Sequence, residues 1–193
     1  MNMEIFRLIN NLAYKHVILD YIMIFSSKYL PYIFIASIIF VFFKGIIEKN
    51  ENYKKVAINT VIITVINLII NFIIGSIYYV DRPFVHNKVN LLFNHSRDAS
   101  FPSDHASGTM SIAIGIKKYN RVFQIFLIAM SVLVGFSRVY VGHHYPIDII
   151  GSYMIVFITS YGYNNLFYKK TDKIYDVLEN RLELILGRKK TIS

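Results

Sequence analysis

The sequence predicts an all-α protein: a polytopic membrane helix bundle with about five transmembrane helices and amphipathic helices at both ends. Three observations predict it. Several apolar runs approach or exceed the roughly 20 residues that a helix needs to cross a bilayer. Hydrophobic residues make up 54% of the chain and charged residues only 17%, a balance too apolar for an ordinary soluble domain. The basic residues gather in short segments between the apolar runs, as they do in proteins that use charge to set membrane orientation. A length of 193 residues allows one domain and hardly two, so residues 1–193 are read as a single unit.

The elements follow in order. Residues 1–28 lack the basic start, apolar core and small-residue cleavage site of a secretory signal. Their opening, "MNMEIFRLINNLAYKH", reads as an amphipathic helix lying at the membrane interface. The first span is expected over 21–43, interrupted by Ser26, Ser27, Lys28 and Pro31. A short interfacial helix followed by a span from about Leu30 is the alternative. The second span runs over 56–79, the third from Pro102 to just before Lys117, the fourth over 122–139 and the fifth from Pro146 to near Phe167. Residues 169–193 form a polar, amphipathic tail suited to the membrane surface. Asn67 and Asn71, inside the second span, are expected to hydrogen-bond to other helices.

Charge sets the orientation. Lys44, Lys49, Lys54 and Lys55 follow the first span, Lys117, Lys118 and Arg121 link the third and fourth, and Lys169, Lys170 and Lys173 follow the fifth. The positive-inside rule places all three groups in the cytoplasm. The opposite face then receives the loop 80–101 and the link 140–146. Five of the six histidines lie between His86 and His144, in or beside those two segments. The net charge of +9 is therefore explained by topology, and no basic patch interleaved with stacking aromatics points to nucleic acid. The absence of cysteine excludes disulfides, thiol catalysis and thiolate metal sites.

Three stretches collect the chemistry: "DRPF" at Asp81 to Phe84, "FPSDHASG" at Phe101 to Gly108, and "SRVYVGHHYPID" at Ser137 to Asp148. In the expected topology all three fall at membrane edges on one face. Arg82 and Arg138 are permanent cations whose forked donors suit phosphate oxygens. Two helices, opened by Pro102 and Pro146, aim their N-termini at the same face, where free N–H groups favour anions. Together these features describe an anion site at the membrane surface, and phosphate is the anion that lipids carry there. The histidines supply reactivity, since imidazole attacks phosphorus or moves a proton near neutral pH. If a helix begins by His144, Asp148 lies one turn along on the same face, and its carboxylate holds one ring nitrogen while the other attacks. His105 is placed to protonate a leaving oxygen. His143 receives no catalytic role, and His86 and His95 read as surface-loop residues.

These residues resemble the type 2 phosphatidic acid phosphatases, which share a site with the vanadium haloperoxidases and certain bacterial acid phosphatases. Arg82–Pro83 matches the end of the family's first motif, "PSDH" at Pro102–His105 matches the second with one change, and Ser137, Arg138, His144 and Asp148 match the third at its spacing. The resemblance covers residues 82–148. It implies that His144 is the nucleophile, that Asp148 orients it, and that His105 is the acid for the departing group. It further implies that Arg82, Ser103, Arg138 and the backbone N–H of Asp104 hold the phosphoryl oxygens, with no metal or other cofactor. Two positions depart from the pattern: the family's lysine falls at Gly75, and its usual glycine is Asp104. Lys88 and Arg97 are candidates to replace the lysine. Both departures are shared by one branch, the bacterial undecaprenyl-diphosphate phosphatases linked to bacitracin resistance. That branch implies a lipid-linked diphosphate as substrate, the bilayer as surroundings, and a bacterial plasma membrane location with the site outside the cytoplasm. It implies neither a nucleic acid nor an obligatory protein partner.

Other readings compete. Phosphatidylglycerol phosphate and phosphatidic acid are headgroups served by related sites. Zinc has possible ligands in His105, His143, His144, Asp104 and Asp148, but the arginine pair disfavours a cation. A transporter would place its polar groups near the midplane and show internal repeats, and neither is present here.

Overall fold

A computed structural model describes residues 2–185 of the chain, and among these the regular structure is helical throughout. The elements are α1 (Asn2–Asn10), α2 (Val17–Lys28), α3 (Leu30–Ile47), α4 (Glu51–Ile77), the short α5 (Pro83–His86), α6 (Asp104–Gly115), α7 (Arg121–Tyr140), α8 (Pro146–Leu166) and α9 (Tyr168–Ile185). The interruption at Ser26 to Pro31 divides α2 from α3, because Pro31 suits a first helical turn and not a helix interior. The expected tail is α9; its last eight positions, 186–193, lie outside the described residues.

The chain is a membrane protein by its pattern of burial. Ile35, Ile39, Val61, Phe72, Val122 and Ile125 point outward, while Asn59, Asn67, Asn71, Ser107, Ser111 and Ser131 are buried. Such an exposed apolar surface suits lipid, and the polar interior supplies hydrogen bonds between helices. Asn67 donates to Ser111 and accepts from Thr159; Asn71 donates to Asp104 and accepts from Ser107. Both asparagines thus tie α4 to its neighbours as the sequence suggested.

Of the five expected spans, α3, α4 and α7 are long and apolar enough to cross a membrane. The α6 helix is only 12 residues long, about 18 Å, and packs against α3, α4, α7 and α8. A helix enclosed in this way meets little lipid and does not need a spanning apolar run. The α8 helix has 21 residues but buries the polar Asp148, Ser152 and Ser160 against its neighbours. Leu30, Phe34, Ile112, Ile116, Leu127 and Val134 form the apolar centre of the bundle.

The two ends of the bundle are closed differently. At one end, α9 lies across α4 and α8. Lys54 pairs with Glu179, Lys55 with Asp176, and Asn59 donates to Asp172. Ile174, Val177 and Leu178, one helical face of α9, stay exposed. At the other end, the N-terminal segment is integrated into the bundle. Phe6 is buried among Ala106, Val139 and Ile149. Asn10 donates to the carbonyls of Asn90 and Tyr140 and accepts from the N–H of Asn90. This one side chain joins α1 to the loop after α5 and to the end of α7.

Small residues set the closest approaches. A Cβ on Gly115 would lie 2.6 Å from Thr60 Oγ1 and 2.7 Å from its Cγ2. Gly115→Val is therefore expected to force α6 away from α4 and cost about 1–3 kcal/mol, read as a lower thermal midpoint in detergent. An unchanged midpoint would mean that this helix contact is not tight.

Candidate active site

The three sequence stretches meet at the end of the bundle where α1 lies. Arg82 precedes α5, Ser103 caps α6, Arg138 sits in the last turn of α7, and Asp148 lies in the first turn of α8. Gly142 allows the turn that returns the chain from α7 to His143 and His144. Its φ of 91° is one that other residues rarely adopt, and a Cβ there would meet the carbonyl oxygen of Asn90 at 3.0 Å.

His144 is buried, and both of its ring nitrogens are engaged. Nδ1 lies 2.8 Å from the carbonyl oxygen of Ser100, which accepts only, so Nδ1 carries the proton. Nε2 therefore holds the lone pair and accepts from Arg82 Nη1 at 2.9 Å. Burial first, and then the charges of Arg82 and Arg138, hold this imidazole well below the usual histidine range. The ring is neutral at physiological pH with its lone pair on Nε2.

Asp148 does not hold His144 in the way the sequence suggested. The helix begins at Pro146, so His144 precedes it and the two residues do not share a helical face. Nδ1 of His144 is 3.6 Å from Asp148 Oδ2. That oxygen instead accepts from the hydroxyl of Ser100 at 2.5 Å and from the N–H of Tyr145 at 2.8 Å. Ser100 stands between the two: its carbonyl takes the imidazole N–H and its hydroxyl binds the carboxylate. Ser100 is fully buried, with its own N–H on the carbonyl of Val80 at 2.8 Å.

The arginines are set in place from several elements. Arg82 donates through Nε to Asp98 at 2.7 Å and through Nη1 to the carbonyl of His143 at 3.0 Å. The partial burial of Asp98 disfavours its charge, but the hydrogen bond and charge of Arg82 outweigh this and hold the carboxyl below its usual range. Arg138 is 2% exposed and donates through Nη1 to Ser27 on α2 at 2.9 Å. Its Nε and Nη2 have no partner among the described residues. Two unpaired donors on a buried guanidinium are what a bound oxyanion would satisfy.

Ser103 is buried; its hydroxyl caps α6 and its N–H donates to Ser152 at 2.8 Å. Asp104 and His105 follow in the first turn of α6, where backbone N–H groups have no acceptor within the helix. The Asp104 carboxylate turns toward α4 and accepts from Asn71 at 3.0 Å. Burial first, and then the charge of Arg138 with that of Arg82, hold His105 below its usual range.

His95 requires correction. Its ring is only 18% exposed and packs 4.6 Å from the His143 ring, so it is part of the site wall and not a surface-loop residue. Burial and the charge of Arg82 hold it below its usual range. His86 is exposed as expected and pairs with Asp81. His143 donates to the carbonyl of Phe93 at 2.9 Å and packs against the Phe93 ring at 4.4 Å. Neither Lys88 nor Arg97 fills the place of the family's lysine, since both are exposed and neither side chain has a partner in the site. At Gly75 a Cβ would lie 3.2 Å from Ala99 Cβ and 3.5 Å from the Phe101 carbonyl oxygen, so any side chain there requires the segment that carries Ala99 to give way slightly. Among the described residues no three His, Asp or Glu side chains are grouped to hold a metal.

Ser27, Asp98 and Ser100 were missed by sequence reasoning. In the sequence Ser27 reads only as a break in an apolar run. Asp98 and Ser100 flank Ala99 directly before the second motif, and nothing in their spacing announces them.

The crowding at Gly75 yields an expected outcome. Gly75→Lys will push the 98–103 segment off α4 and lower the thermal midpoint, without raising activity. Higher activity at an unchanged midpoint would show that the position still accepts a phosphate-binding lysine.

Residues 56–172 match the model of the PAP2 superfamily. The chain is 34% identical over 192 residues to the Bacillus subtilis undecaprenyl-diphosphatase BcrC, covering 94% of this chain and 95% of that protein. The crystal structure of Aquifex aeolicus LpxE superposes with a TM-score of 0.68 at 27% identity, covering 82% of this chain and 91% of that one. A transmembrane PAP2 type phosphatidylglycerolphosphate phosphatase from Bacillus subtilis superposes with a TM-score of 0.61 at 19% identity over 85% and 87% of the two chains, a likeness of fold.

Proposed function

Because the chain belongs to the PAP2 superfamily, we propose that it hydrolyses undecaprenyl diphosphate to undecaprenyl phosphate and inorganic phosphate at the outer face of a bacterial plasma membrane. The observation that carries the reading is the buried His144: neutral, fixed through Nδ1, with Nε2 facing Arg82 and the unpaired donors of Arg138 close enough for their charge to act on it.

In this mechanism the polyprenyl chain stays in the bilayer and the diphosphate enters the arginine cluster. Arg82, Arg138 and the N–H groups at the start of α6 hold the terminal phosphoryl oxygens and stabilise the charge that develops on them. The Nε2 lone pair attacks the terminal phosphorus. The bond from phosphorus to the bridging oxygen breaks as undecaprenyl phosphate departs. His105, neutral under burial and the arginine charges before substrate enters, takes up a proton from water once the diphosphate's charge offsets them and gives it to that oxygen. Water then attacks the phosphohistidine and passes a proton to His105. The N–P bond breaks, its electron pair returns to Nε2, and phosphate leaves. Positive charge formed on the imidazole is met at Nδ1 by the Ser100 carbonyl and, beyond it, by Asp148. Ser100 and Asp148 act through His144 and are positioning residues. Residues 1–193 work as one phosphatase domain, with 82–148 supplying its site.

In the cell this reaction recycles the lipid carrier used in wall synthesis. It also removes the diphosphate that bacitracin binds, so expression is expected to raise bacitracin tolerance.

Phosphate release by purified protein in detergent with a chelator tests the reading. Undecaprenyl diphosphate is expected to be preferred over phosphatidic acid and phosphatidylglycerol phosphate, and His144→Ala to abolish turnover while the fold persists. Preference for a glycerophospholipid would keep the chemistry and overturn the substrate. Substantial activity in His144→Ala would overturn the mechanism.

Asp148→Asn and Ser100→Ala address the indirect hold on the nucleophile. Both are expected to lower kcat by about 10- to 100-fold with KM little changed, and Ser100→Thr to restore part of the loss. A change confined to KM, or no rescue by threonine, would remove Ser100 from the positioning role.

A further inference from the structure

At the bundle end opposite the arginines, a cleft of about 510 Å³ opens between the end of α6, the start of α7 and the second half of α8. Lys117 and Lys118 stand at its rim, Gln124, Ser160 and Asn164 line it, and Phe157 continues it onto the lipid-facing surface. We propose that this cleft binds the headgroup of an anionic glycerophospholipid, of the phosphatidylglycerol kind.

Ser160 is the decisive residue. Thr60, Ser76, Ser111 and Ser152 return their hydroxyls to the carbonyl four residues back, Ser37 and Ser137 to the carbonyl three back, and Ser107 reaches Asn71 on a neighbouring helix. Ser160 does none of these. It is 3% exposed, and its hydroxyl has no partner among the described residues although it lines the cleft. Its carbonyl is taken by Asn164 at 2.9 Å. A buried hydroxyl left unbonded is unfavourable, and a polar group seated in the cleft would satisfy it.

The charge at the rim identifies the ligand class. Lys118 is held with its ammonium 3.1 Å from the Tyr168 ring centroid, and the charge of Lys169 reaches it. The carboxylate that acts on Lys118, that of Asp172, is engaged by Asn59 at 2.8 Å. The rim is therefore cationic, the floor offers hydroxyl and amide groups, and the side facing lipid is apolar. A phosphate diester with a hydroxylated headgroup and acyl chains matches that order. Basic pockets between transmembrane helices are places where anionic headgroups bind.

Native mass spectrometry of the purified full chain in neutral detergent tests the site, with phosphatidylglycerol, phosphatidylcholine and inorganic phosphate as probes. One phosphatidylglycerol is expected to remain bound, with phosphatidylcholine weaker and inorganic phosphate unable to compete at millimolar levels. Lys117→Gln should weaken phosphatidylglycerol binding about fivefold, and Lys117→Gln with Lys118→Gln about 25-fold by addition of two such contributions. Ser160→Ala should weaken it further without lowering the thermal midpoint of lipid-free protein. Equal retention of phosphatidylcholine, displacement by inorganic phosphate, or unaltered binding in Lys117→Gln would each overturn the proposal. Among the described residues Lys117 makes no side-chain hydrogen bond or ion pair that its loss would break, so that arm stands even if the double variant unfolds. Phosphatase activity is not part of the readout, so the lipid site and the reading of the histidine site stand or fall separately.

Discussion

Two guanidinium groups buried side by side are the constraint on which the rest of this structure depends. Arg82 is 5% exposed and Arg138 is 2% exposed, and each charge acts on the other. Removing an ion from water carries a penalty of several kcal/mol unless partners replace the lost hydration. Arg82 has Asp98, a backbone carbonyl and an imidazole nitrogen; Arg138 has one serine hydroxyl. The site is therefore short of negative charge by design of its contacts, and the energy to hold it in that state comes from packing elsewhere. An anion that enters meets donors already aimed and already desolvated, which is the condition under which such donors stabilise a transition state most.

The same field decides the state of the histidines. A cation beside His144 disfavours a second positive charge, so the ring stays neutral and nucleophilic, and burial acts in the same direction. His143 is driven the same way, to about 2, by burial and by Arg138. The carboxylate of Asp148 pairs with neither arginine: its Oδ2 accepts from Ser100 and from the N–H of Tyr145, the residue before its helix. The N-terminal helices belong to the same scheme. Ser27 on α2 is the only side-chain partner of Arg138 among the described residues, and Asn10 on α1 secures the loop that carries Asp98 and Ser100.

What was legible in the sequence is what obeys spacing. Apolar run lengths located α3, α4 and α7; Pro31 marked the break before α3 and Pro146 the start of α8, while Pro102 lies two residues before α6 and the short α5 at Pro83 was not foreseen. Arg82, Ser103, Arg138, His144 and Asp148 could be gathered because each sits at a helix end, where periodicity stops and polarity rises. The indirect link from His144 to Asp148 was not legible. It depends on α8 starting two residues after His144 and on a backbone carbonyl, and a carbonyl has no letter of its own. His95 was misread for a related reason: a histidine in a long polar loop looks solvated, and only the fold of that loop over His143 buries it. The short, polar-laced α6 shows the limit of hydropathy, since a helix surrounded by protein is free of the rule that lipid imposes.

The two departures from the family pattern are better understood together than apart. Gly75 and Asp104 line one cleft of about 290 Å³ between the end of α4 and the 98–104 segment. With glycine at 75, that segment can lie against α4, Ala99 within ordinary reach of the helix surface. The segment carries Asp98 to Arg82 and Ser100 to both His144 and Asp148, so its position sets the site. Asp104, at the first position of α6, favours the positive end of that helix and is anchored by Asn71 across the cleft. Its carboxylate is thereby turned toward α4, while its N–H stays at the helix start. A lysine at 75 would contest the space that Ala99 occupies. A glycine at 104 would leave Asn71 without its acceptor. One rearrangement of the contact between α4 and the segment before α6 thus accounts for both changes.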